Sequence, residues 1–364
     1  MKVFCFSLAL VLGACADKDA SDDSAAADDS ATDDTSAEGE TTAVVATVSD
    51  DYAVGTLATV SLEGWAVQDE IVDLTGDTAV IADGGYVFRL DRFAYDSVSV
   101  YTPGDWSAPI AQFALADLAN PHTVVMCDGA AFITQYGADH IAVHDPETGA
   151  LRGTVDLSSF DDGDGTPEAS TMVMADNGKL YVGMQRLDRA ASWAEAGGRV
   201  AEVDCASRAV TRSWEVEGQA NVYAYSPDGA QLVVDSGEGL HLLDTTTGTL
   251  SAPLLDEVAE GISVVGFTSH GDRAVVAFSD ASYSYGIGCV DLGTWSFTEA
   301  ERVDNYLISL SGDARGEAWI SARTHWSNPA AENGLIVYDV ATCTSLTTSG
   351  PIATLLAPFS VAFY

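Results

Sequence analysis

The sequence predicts an all-β protein that folds as a single seven-bladed β-propeller with four-stranded antiparallel blades. Three observations lead to this fold class. A unit of four short alternating strands recurs at intervals of roughly 45 to 50 residues. Tight turns rich in Asp and Gly join its strands. Unpaired strands remain at both ends of the array, and no stretch has a helical apolar pattern that does not also fit a strand and a turn.

The clearest unit spans residues 120–157. Its predicted strands are residues 123–126, 130–134, 140–144 and 151–157. The turns CDG at 127–129 and DPETG at 145–149 separate the strands, because Gly accepts positive φ and Pro presets φ for a turn. A meander of this length is one propeller blade.

Further copies account for the rest of the ring. Five of them begin at Thr78, Ser170, Asn221, Ile262 and Leu307. The chain ends on PFSVAFY, a lone first strand, while apolar alternations at 42–48 and 56–62 lie N-terminal to the first copy. A blade shared by these segments would remove both exposed sheet edges. We therefore expect seven blades in one propeller domain at 42–364.

The N-terminal residues predict export. MKVFCFSLALVLGAC carries about ten consecutive apolar residues, too few for the roughly 20 that a membrane span needs. Leu12-Gly13-Ala14-Cys15 resembles the lipobox of bacterial lipoproteins, which implies a signal peptide at 1–15 and an acyl chain such as palmitate on Cys15. Ala16 after the cysteine implies an outer membrane lipoprotein, at the cell surface or facing the periplasm. An ordinary signal peptide with a chance cysteine is the alternative.

Residues 16–41 predict a disordered acidic tether, because ten acidic residues and no large apolar residue lie between 16 and 40. Over the whole chain, 55 Asp and Glu residues against 15 Lys and Arg residues give a net charge of −40. This charge excludes nucleic acid as a partner, since few cations are available to neutralise phosphates. The lipid anchor is the only membrane contact that we expect.

The repeats resemble the YVTN branch of the WD40-like propellers. The resemblance rests on SPDG at 226–229, LYV at 180–182 and the Asp-to-Thr-Gly segments at 145–149 and 244–248, and it covers residues 42–364. The segments NPH at 120, TPEAS at 166 and KLYVGMQRLD at 179 resemble secreted lipoprotein propellers of unknown ligand. Members of the YVTN branch include solute-capturing lipoproteins, lactonases, quinoprotein-like dehydrogenase subunits and scaffolds. The resemblance therefore implies the fold and leaves the function open.

Four cysteines remain in the propeller. An exported protein can form two disulfides, for which three pairings exist. Cys127 and Cys205 lie in turns that the topology places on the same face of neighbouring blades, and Cys289 and Cys343 end third strands of neighbouring blades. We favour the pairs Cys127–Cys205 and Cys289–Cys343. Metal binding is the weaker alternative, because no CxxC motif or histidine cluster accompanies them.

Strand direction places the blade-to-blade connections and the second-to-third-strand loops on one face, here called the upper face. These loops are long and combine Arg with aromatic residues, as a recognition surface requires. The candidate ligand-binding residues are Arg89, Arg92, His122, Gln135, Tyr136, Arg186, Arg323, His325 and Trp326. The alternative is that the arginines pair with nearby Asp91, Asp96 and Asp188 and brace the loops. In solvent such pairs contribute little, so Arg→Ala changes are expected to alter stability slightly.

One acidic loop suggests a metal. Asp162, Asp164 and Glu168 lie in DDGDGTPE at 161–168, where alternate oxygen ligands and a Gly resemble the start of a calcium loop. A simple acidic turn is the alternative, and no other cofactor is expected.

Catalytic motifs are scarce. No Gly-x-Ser-x-Gly motif accompanies His122, and the residues that begin the inner strands include only two acids, Asp77 and Glu168. The sequence therefore predicts a surface-anchored lipoprotein that binds a small solute or an envelope protein. An extracytoplasmic enzyme of lactonase or quinoprotein-like dehydrogenase type is the alternative function.

Overall fold

The computed structural model describes residues 39–225, 228–325 and 327–364. In this part of the chain, seven antiparallel sheets form the blades of a single propeller. The predicted signal peptide, Cys15 and the tether up to residue 38 lie outside the described residues. At the N-terminal boundary, Glu40 accepts a hydrogen bond from the Ala314 amide at 2.7 Å, and the Thr41 amide donates to the Tyr364 carbonyl.

Each blade is a meander numbered here from the innermost strand outward. Blade 1 contains Thr78–Asp83, Tyr86–Asp91, Ser97–Tyr101 and Ala111–Ala114. Blade 2 contains Pro121–Cys127, Ala130–Gln135, His140–His144 and Leu151–Asp156. Blade 3 contains Ala169–Met174, Leu180–Met184, Gly198–Asp204 and Ala209–Val216, with a hairpin of Leu187–Asp188 and Ala194–Glu195 in its second-to-third-strand loop. These bounds agree closely with the strands predicted for residues 120–157.

The remaining blades follow the same plan. Blade 4 contains Asn221–Ala224, Gln231–Asp235, Gly239–Asp244 and an outer strand split into Thr249–Leu250 and Leu255–Asp256. Blade 5 contains Ile262–His270, Arg273–Asp280, Tyr285–Asp291 and Ser296–Val303. Blade 6 contains Asn305–Gly312, Glu317–Thr324, Gly334–Asp339 and Thr344–Ser345. Blade 7 contains Ala357–Phe363, Thr42–Val48, Gly55–Ser61 and an outer strand split into Val67–Gln68 and Asp73–Leu74.

Blade 7 closes the ring as predicted. Its innermost strand, Ala357–Phe363, comes from the C-terminal end and pairs antiparallel with Thr42–Val48, with Ala43 opposite Phe363 and Val45 opposite Val361. Without this pairing the inner edge of Thr42–Val48 would stay open and no blade would join the two ends of the array, which is the physical reason for this arrangement.

The core consists of apolar layers between neighbouring blades. On the second strand of blade 2, Ile133 packs into the layer shared with blade 1, whereas Phe132 packs into the layer shared with blade 3. Both faces of each blade are therefore buried, which explains why the inner strands are apolar at nearly every position. Trp319, Tyr181 and Phe88 are among the largest fully buried side chains.

Helix is almost absent from the described residues, as predicted. A 3-10 turn spans Ser158–Phe160, and one short α-helix spans Glu257–Glu260. Asp256 caps this helix by accepting a hydrogen bond from the Ala259 amide at 2.8 Å. No helix in the described ranges is long and apolar enough to cross a bilayer.

Both favoured disulfides are confirmed. Cys127 is bonded to Cys205 and Cys289 to Cys343, each with a Cα–Cα distance of 6.1 Å. The first bond joins blades 2 and 3, and the second joins blades 5 and 6. Each disulfide therefore fastens two neighbouring blades at the face opposite the long loops.

Candidate functional site

The upper face is built around the first residues of the inner strands. In blade 2 the inner pair contains a β-bulge, since His122 and Thr123 together oppose only Thr134. The Thr134 hydroxyl compensates for the disrupted ladder by accepting a hydrogen bond from the Thr123 amide at 2.9 Å. Bulges redirect side chains beside functional sites, and this one sets the position of His122.

A chain of hydrogen-bonded side chains extends from blade 2 to blade 4. The His122 ring stacks on Tyr136 with centroids 4.7 Å apart. Tyr136 donates to Gln185 at 2.8 Å, Gln185 donates to Asn221 at 3.4 Å, and Asn221 donates to Asp235 at 3.2 Å. All five residues are buried. We call this set, together with Glu257, the polar arc.

The polar arc ends at two buried acids. Glu257, in the helix between blades 4 and 5, is hydrogen-bonded to Asp235, and its Oε2 also accepts from the Val264 amide at 2.9 Å. Burial raises the pKa of both carboxyls, and the charge of Asp235 raises that of Glu257 further. The pair therefore retains a proton at neutral pH, with Glu257 as the neutral donor and Asp235 as the carboxylate that also accepts from Asn221.

Two arginines flank an aromatic ring on the other side of the upper face. Arg92 lies 5.0 Å and Arg323 5.9 Å from the ring centroid of Phe359, which is on the inner strand of blade 7. Arg92 forms an ion pair with Asp77. Arg323 donates to the backbone carbonyls of three residues, Val48, Ser49 and Ala357, between 3.0 and 3.2 Å.

The burial of these arginines corrects the expectation that Arg→Ala changes alter stability only slightly. Arg92 is 5% and Arg323 only 2% exposed, so neither is a loop arginine in solvent. An Arg323→Ala change would remove the side-chain donor from the buried carbonyls of Val48 and Ala357 and would destabilise the fold, rather than alter stability slightly. The loop composition alone did not show that these loops fold back over their own cations.

The other candidate residues occupy different positions. Arg89 is paired with Asp91 at 2.9 Å, as the bracing alternative proposed. Arg186 donates to the Phe160 and Gly197 carbonyls and also braces a loop, although not through Asp188. Gln135 donates a hydrogen bond to the His140 carbonyl, and His325 Nδ1 is hydrogen-bonded to the Ser327 hydroxyl. Trp326 lies outside the described residues. Among the described candidate residues, His122 and Tyr136 therefore belong to the polar arc, and Arg92 and Arg323 flank Phe359.

Three buried polar atoms near the start of blade 2 lack protein partners. They are Arg92 Nη1, His122 Nδ1 and Asn120 Oδ1. Burial, together with the charge of Arg92, lowers the pKa of His122 well below its usual range, so the imidazole is neutral at pH 7. Native proteins rarely leave buried polar atoms without hydrogen bonds, and such atoms commonly mark a position for water or a ligand.

The acidic loop places its residues differently from the predicted calcium set. Oxygens of Asp161, Asp162 and Asp164 lie within 4.8 Å of one another. Asp164 accepts from Arg189 Nε at 2.7 Å, which neutralises its charge. Glu168 is fully buried, accepts from Thr166 and from the Leu187 amide, and has its pKa raised to about 7 by burial. The structure therefore groups Asp161 with Asp162 and Asp164, while Glu168 has its own protein partners.

Sequence reasoning missed the acids of the polar arc. Asp235 ends the second strand of blade 4, at the position that Asp91 and Gln135 occupy in blades 1 and 2. Aligning the repeats on this position would have identified it, because a polar residue at the end of a buried strand recurs there. Glu257 carried no such signal, since its helix is not part of the repeat.

Comparisons with known proteins identify the fold. No family model matches the chain, and no curated protein matches it in sequence. Among solved structures, one described as "a putative 6-phosphogluconolactonase" from Bacteroides fragilis aligns with a TM-score of 0.61 at 12% identity, over 91% of this chain and 100% of its own. The hydrazine synthase of Kuenenia stuttgartiensis aligns with a TM-score of 0.54 at 15% identity, over 81% of this chain and 95% of its own.

A third neighbour is the dihydro-heme d1 dehydrogenase NirN in complex with DHE. It aligns with a TM-score of 0.51 at 14% identity, over 87% of this chain and 74% of its own. At these identities the similarity establishes the propeller fold and nothing finer. Information on function therefore comes from the residues of the upper face.

Proposed function

We propose that the protein is a binding module for a small solute, held at the upper face between Arg92, Asn120 and His122. The observation that supports this proposal best is the group of three buried atoms without protein partners. Asn120 and His122 lie at the start of blade 2, and the charge of Arg92 lowers the pKa of His122. Folding alone gives no reason to bury them unpaired, because each costs free energy comparable to a lost hydrogen bond.

The chemistry of these atoms defines the ligand. The guanidinium of Arg92 is a charged donor that suits a carboxylate or phosphate oxygen. Asn120 Oδ1 accepts and therefore requires a donor such as a hydroxyl group. Neutral His122 supplies either a donor or an acceptor, depending on its tautomer. A hydroxy acid satisfies all three, since it combines an anionic group with hydroxyls.

The test uses three probes that separate these requirements. Gluconate carries a carboxylate and hydroxyls, sorbitol carries hydroxyls only, and hexanoate carries a carboxylate only. We expect gluconate to raise the melting temperature and to give a saturable calorimetric isotherm, because a ligand that binds only the folded state stabilises it. Sorbitol and hexanoate should bind far more weakly.

Suitable variants avoid truncating the buried arginines. Asn120→Asp is isosteric, tolerates the φ of 48° at this position and puts a negative charge beside the anion. His122→Gln removes the imidazole and remains neutral. Both should weaken gluconate binding at least tenfold, or about 1.4 kcal/mol. Arg152→Gln, on the lower face, should have no effect. Equal binding by Asn120→Asp and the unchanged protein would refute the site.

A second candidate function is hydrolysis of a lactone. The observation that favours it is the proton-sharing pair Asp235–Glu257, because strongly perturbed carboxyls often mark catalytic sites. One structural neighbour is also named as a lactonase. Catalytic turnover of gluconolactone that Glu257→Gln abolishes would favour the enzyme; saturable binding of gluconate without turnover would favour the binding module.

The cellular setting belongs to the same proposal. A lipid on Cys15 would anchor the protein in the outer membrane through the acidic tether, and the domain would capture its solute next to the membrane. The lipobox-like tetrapeptide at residues 12–15 supports this part of the proposal, as does the acidic stretch that follows it.

A further inference from the structure

Exposed apolar side chains are concentrated on the upper face. The described part of the chain has eleven large hydrophobic residues with exposed side chains. Eight of them lie in upper-face connections: Tyr52, Val54, Phe93, Tyr95, Leu118, Val258, Tyr283 and Leu355. The other three, Ile110, Leu151 and Leu254, lie at the lower face or the outer rim.

Six of the eight belong to adjacent blades. Tyr52 and Val54 lie in the loop of blade 7, Phe93 and Tyr95 in the loop of blade 1, Leu118 between blades 1 and 2, and Leu355 between blades 6 and 7. We call these six residues the apolar arc. Asp96 connects two of its loops by accepting hydrogen bonds from the Leu118 and Asn120 amides at 2.8 and 2.7 Å.

Backbone conformation provides a second, independent observation. Tyr52 has a φ of 58° and Leu118 a φ of 63°, the left-handed region that bulky residues rarely occupy. These residues therefore combine an unfavourable backbone with an exposed apolar side chain. Tyr52 also covers Arg323, whose guanidinium lies 5.0 Å from its ring centroid, while the Leu118 side chain is 60% exposed. Strained residues with exposed apolar side chains are typical of recognition sites.

The charges around the apolar arc select the partner. Exposed carboxylates lie within its loops or next to them, at Asp50, Asp51, Glu70 and Asp117. The arginines of this region, Arg92 and Arg323, are buried beneath the loops. The exposed charge of these described loops is therefore entirely negative. An anionic partner would be repelled, while a cationic one would be attracted.

We propose that the apolar arc docks a basic amphipathic segment of a partner protein, whose apolar side chains contact Phe93, Tyr95 and Leu118 while its Lys or Arg side chains pair with the surrounding carboxylates. This surface lies on the exposed loop tips and differs from the buried solute position. Either proposal can fail while the other holds.

The test measures binding of a fluorescent amphipathic peptide of Leu and Arg to the intact chain by anisotropy, with a Leu and Glu peptide of equal length for comparison. The variant combines Phe93→Ser, Tyr95→Ser and Leu118→Asn, the last chosen because Asn tolerates positive φ. We expect the Leu and Arg peptide to bind, to weaken with added salt and to lose roughly tenfold or more affinity to this variant.

The control combines Ile110→Ser with Leu151→Ser, which removes equally exposed apolar side chains from the lower face. It should bind the peptide normally, as should Asn120→Asp. Equal affinity for both peptides, or equal losses in both loop and control variants, would overturn the proposal. Binding to phosphatidylcholine vesicles that depends on the same residues, without peptide binding, would identify a membrane surface instead and would also overturn it.

Discussion

Buried polar residues at the upper face cost stability unless each has a partner, and the part of the polar arc from Tyr136 to Asp235 shows how this protein meets that cost. Every donor in the Tyr136–Gln185–Asn221 chain points the same way, toward the Asp235 carboxylate. Asp235 can accept the hydrogen bond from Asn221 in either protonation state, but Glu257 must keep its proton, because a second carboxylate charge beside Asp235 would be buried without a partner. The protons bound by this pair therefore govern the local stability.

These protons make the stability depend on pH. In the unfolded chain both acids ionise near their usual pKa values of about 4. In the folded protein burial raises the pKa of each, so the folded state binds more protons than the unfolded state above about pH 5. The stabilisation that these protons provide is complete below the unfolded pKa values of about 4. It declines as the pH rises toward the raised pKa values of the folded protein. We therefore expect the free energy of unfolding to fall between pH 5 and pH 8, by about 1.4 kcal/mol per pH unit for each extra proton.

Denaturant unfolding at several pH values would measure the effect. Glu257→Gln keeps a neutral donor toward Asp235 but cannot lose a proton, so its stability should depend less on pH. Glu260→Gln is the matched control, because Glu260 is exposed on the same short helix. Parallel pH profiles for Glu257→Gln and the unchanged protein would show that the pair does not hold the proton.

At the scale of single elements, Arg189 and a calcium ion would compete for the carboxylates of the loop at 161–168. Arg189 already neutralises Asp164, so a calcium ion bound by Asp161, Asp162 and Asp164 would have to displace a guanidinium. We expect Arg189→Gln to strengthen calcium binding. For the unchanged protein, calcium at a hundredfold excess over its Kd should add about 2.7 kcal/mol of stability, which a chelator would remove.

Thermal melts with calcium and with a chelator would detect this difference. Asp164→Asn should remove most of the calcium effect, whereas Asp139→Asn, an exposed carboxylate in a neighbouring loop, should leave it unchanged. Melting curves that ignore calcium, both in the unchanged protein and in Arg189→Gln, would mean that the loop is only a turn.

The strands and turns could be predicted from the sequence, whereas the side-chain clusters at the upper face could not. The strand at His140–His144 is encoded by local alternation, and the turn after it by DPETG, so neither needs distant information. Asp235 and Glu257 become a buried pair only because the connection after blade 4 folds over the end of that blade's second strand. Arg323 looks like a loop residue in sequence, yet it is buried by backbone from residues 48, 49 and 357. The ring closure and the disulfides follow from the repeat itself, whereas these contacts depend on irregular connections that no repeat position encodes.

At the scale of the whole molecule, the predicted anchor can be tested directly. If Cys15 is lipidated, Cys15→Ala should release the protein from the membrane fraction, so that detergent is no longer needed to extract it. Fractionation followed by mass spectrometry of the N-terminal peptide measures both consequences. Cys5→Ala, inside the predicted signal peptide, is the control and should remain membrane-bound. Unchanged fractionation of Cys15→Ala would rule out lipidation as the anchor.

The shared blade also determines when folding can finish. During synthesis Thr42–Val48 is the first strand of blade 7 to leave the ribosome. Its inner neighbour, Ala357–Phe363, follows some 300 residues later. Until then Thr42–Val48 has a free edge, so a partly synthesised chain can hold formed blades in an open array but not a closed ring. Each disulfide needs only two neighbouring blades, so in an oxidising compartment it can form without the closed ring. Oxidation can therefore precede closure, and an export machinery that accepts only unfolded chains would meet a protein whose final structure is still incomplete.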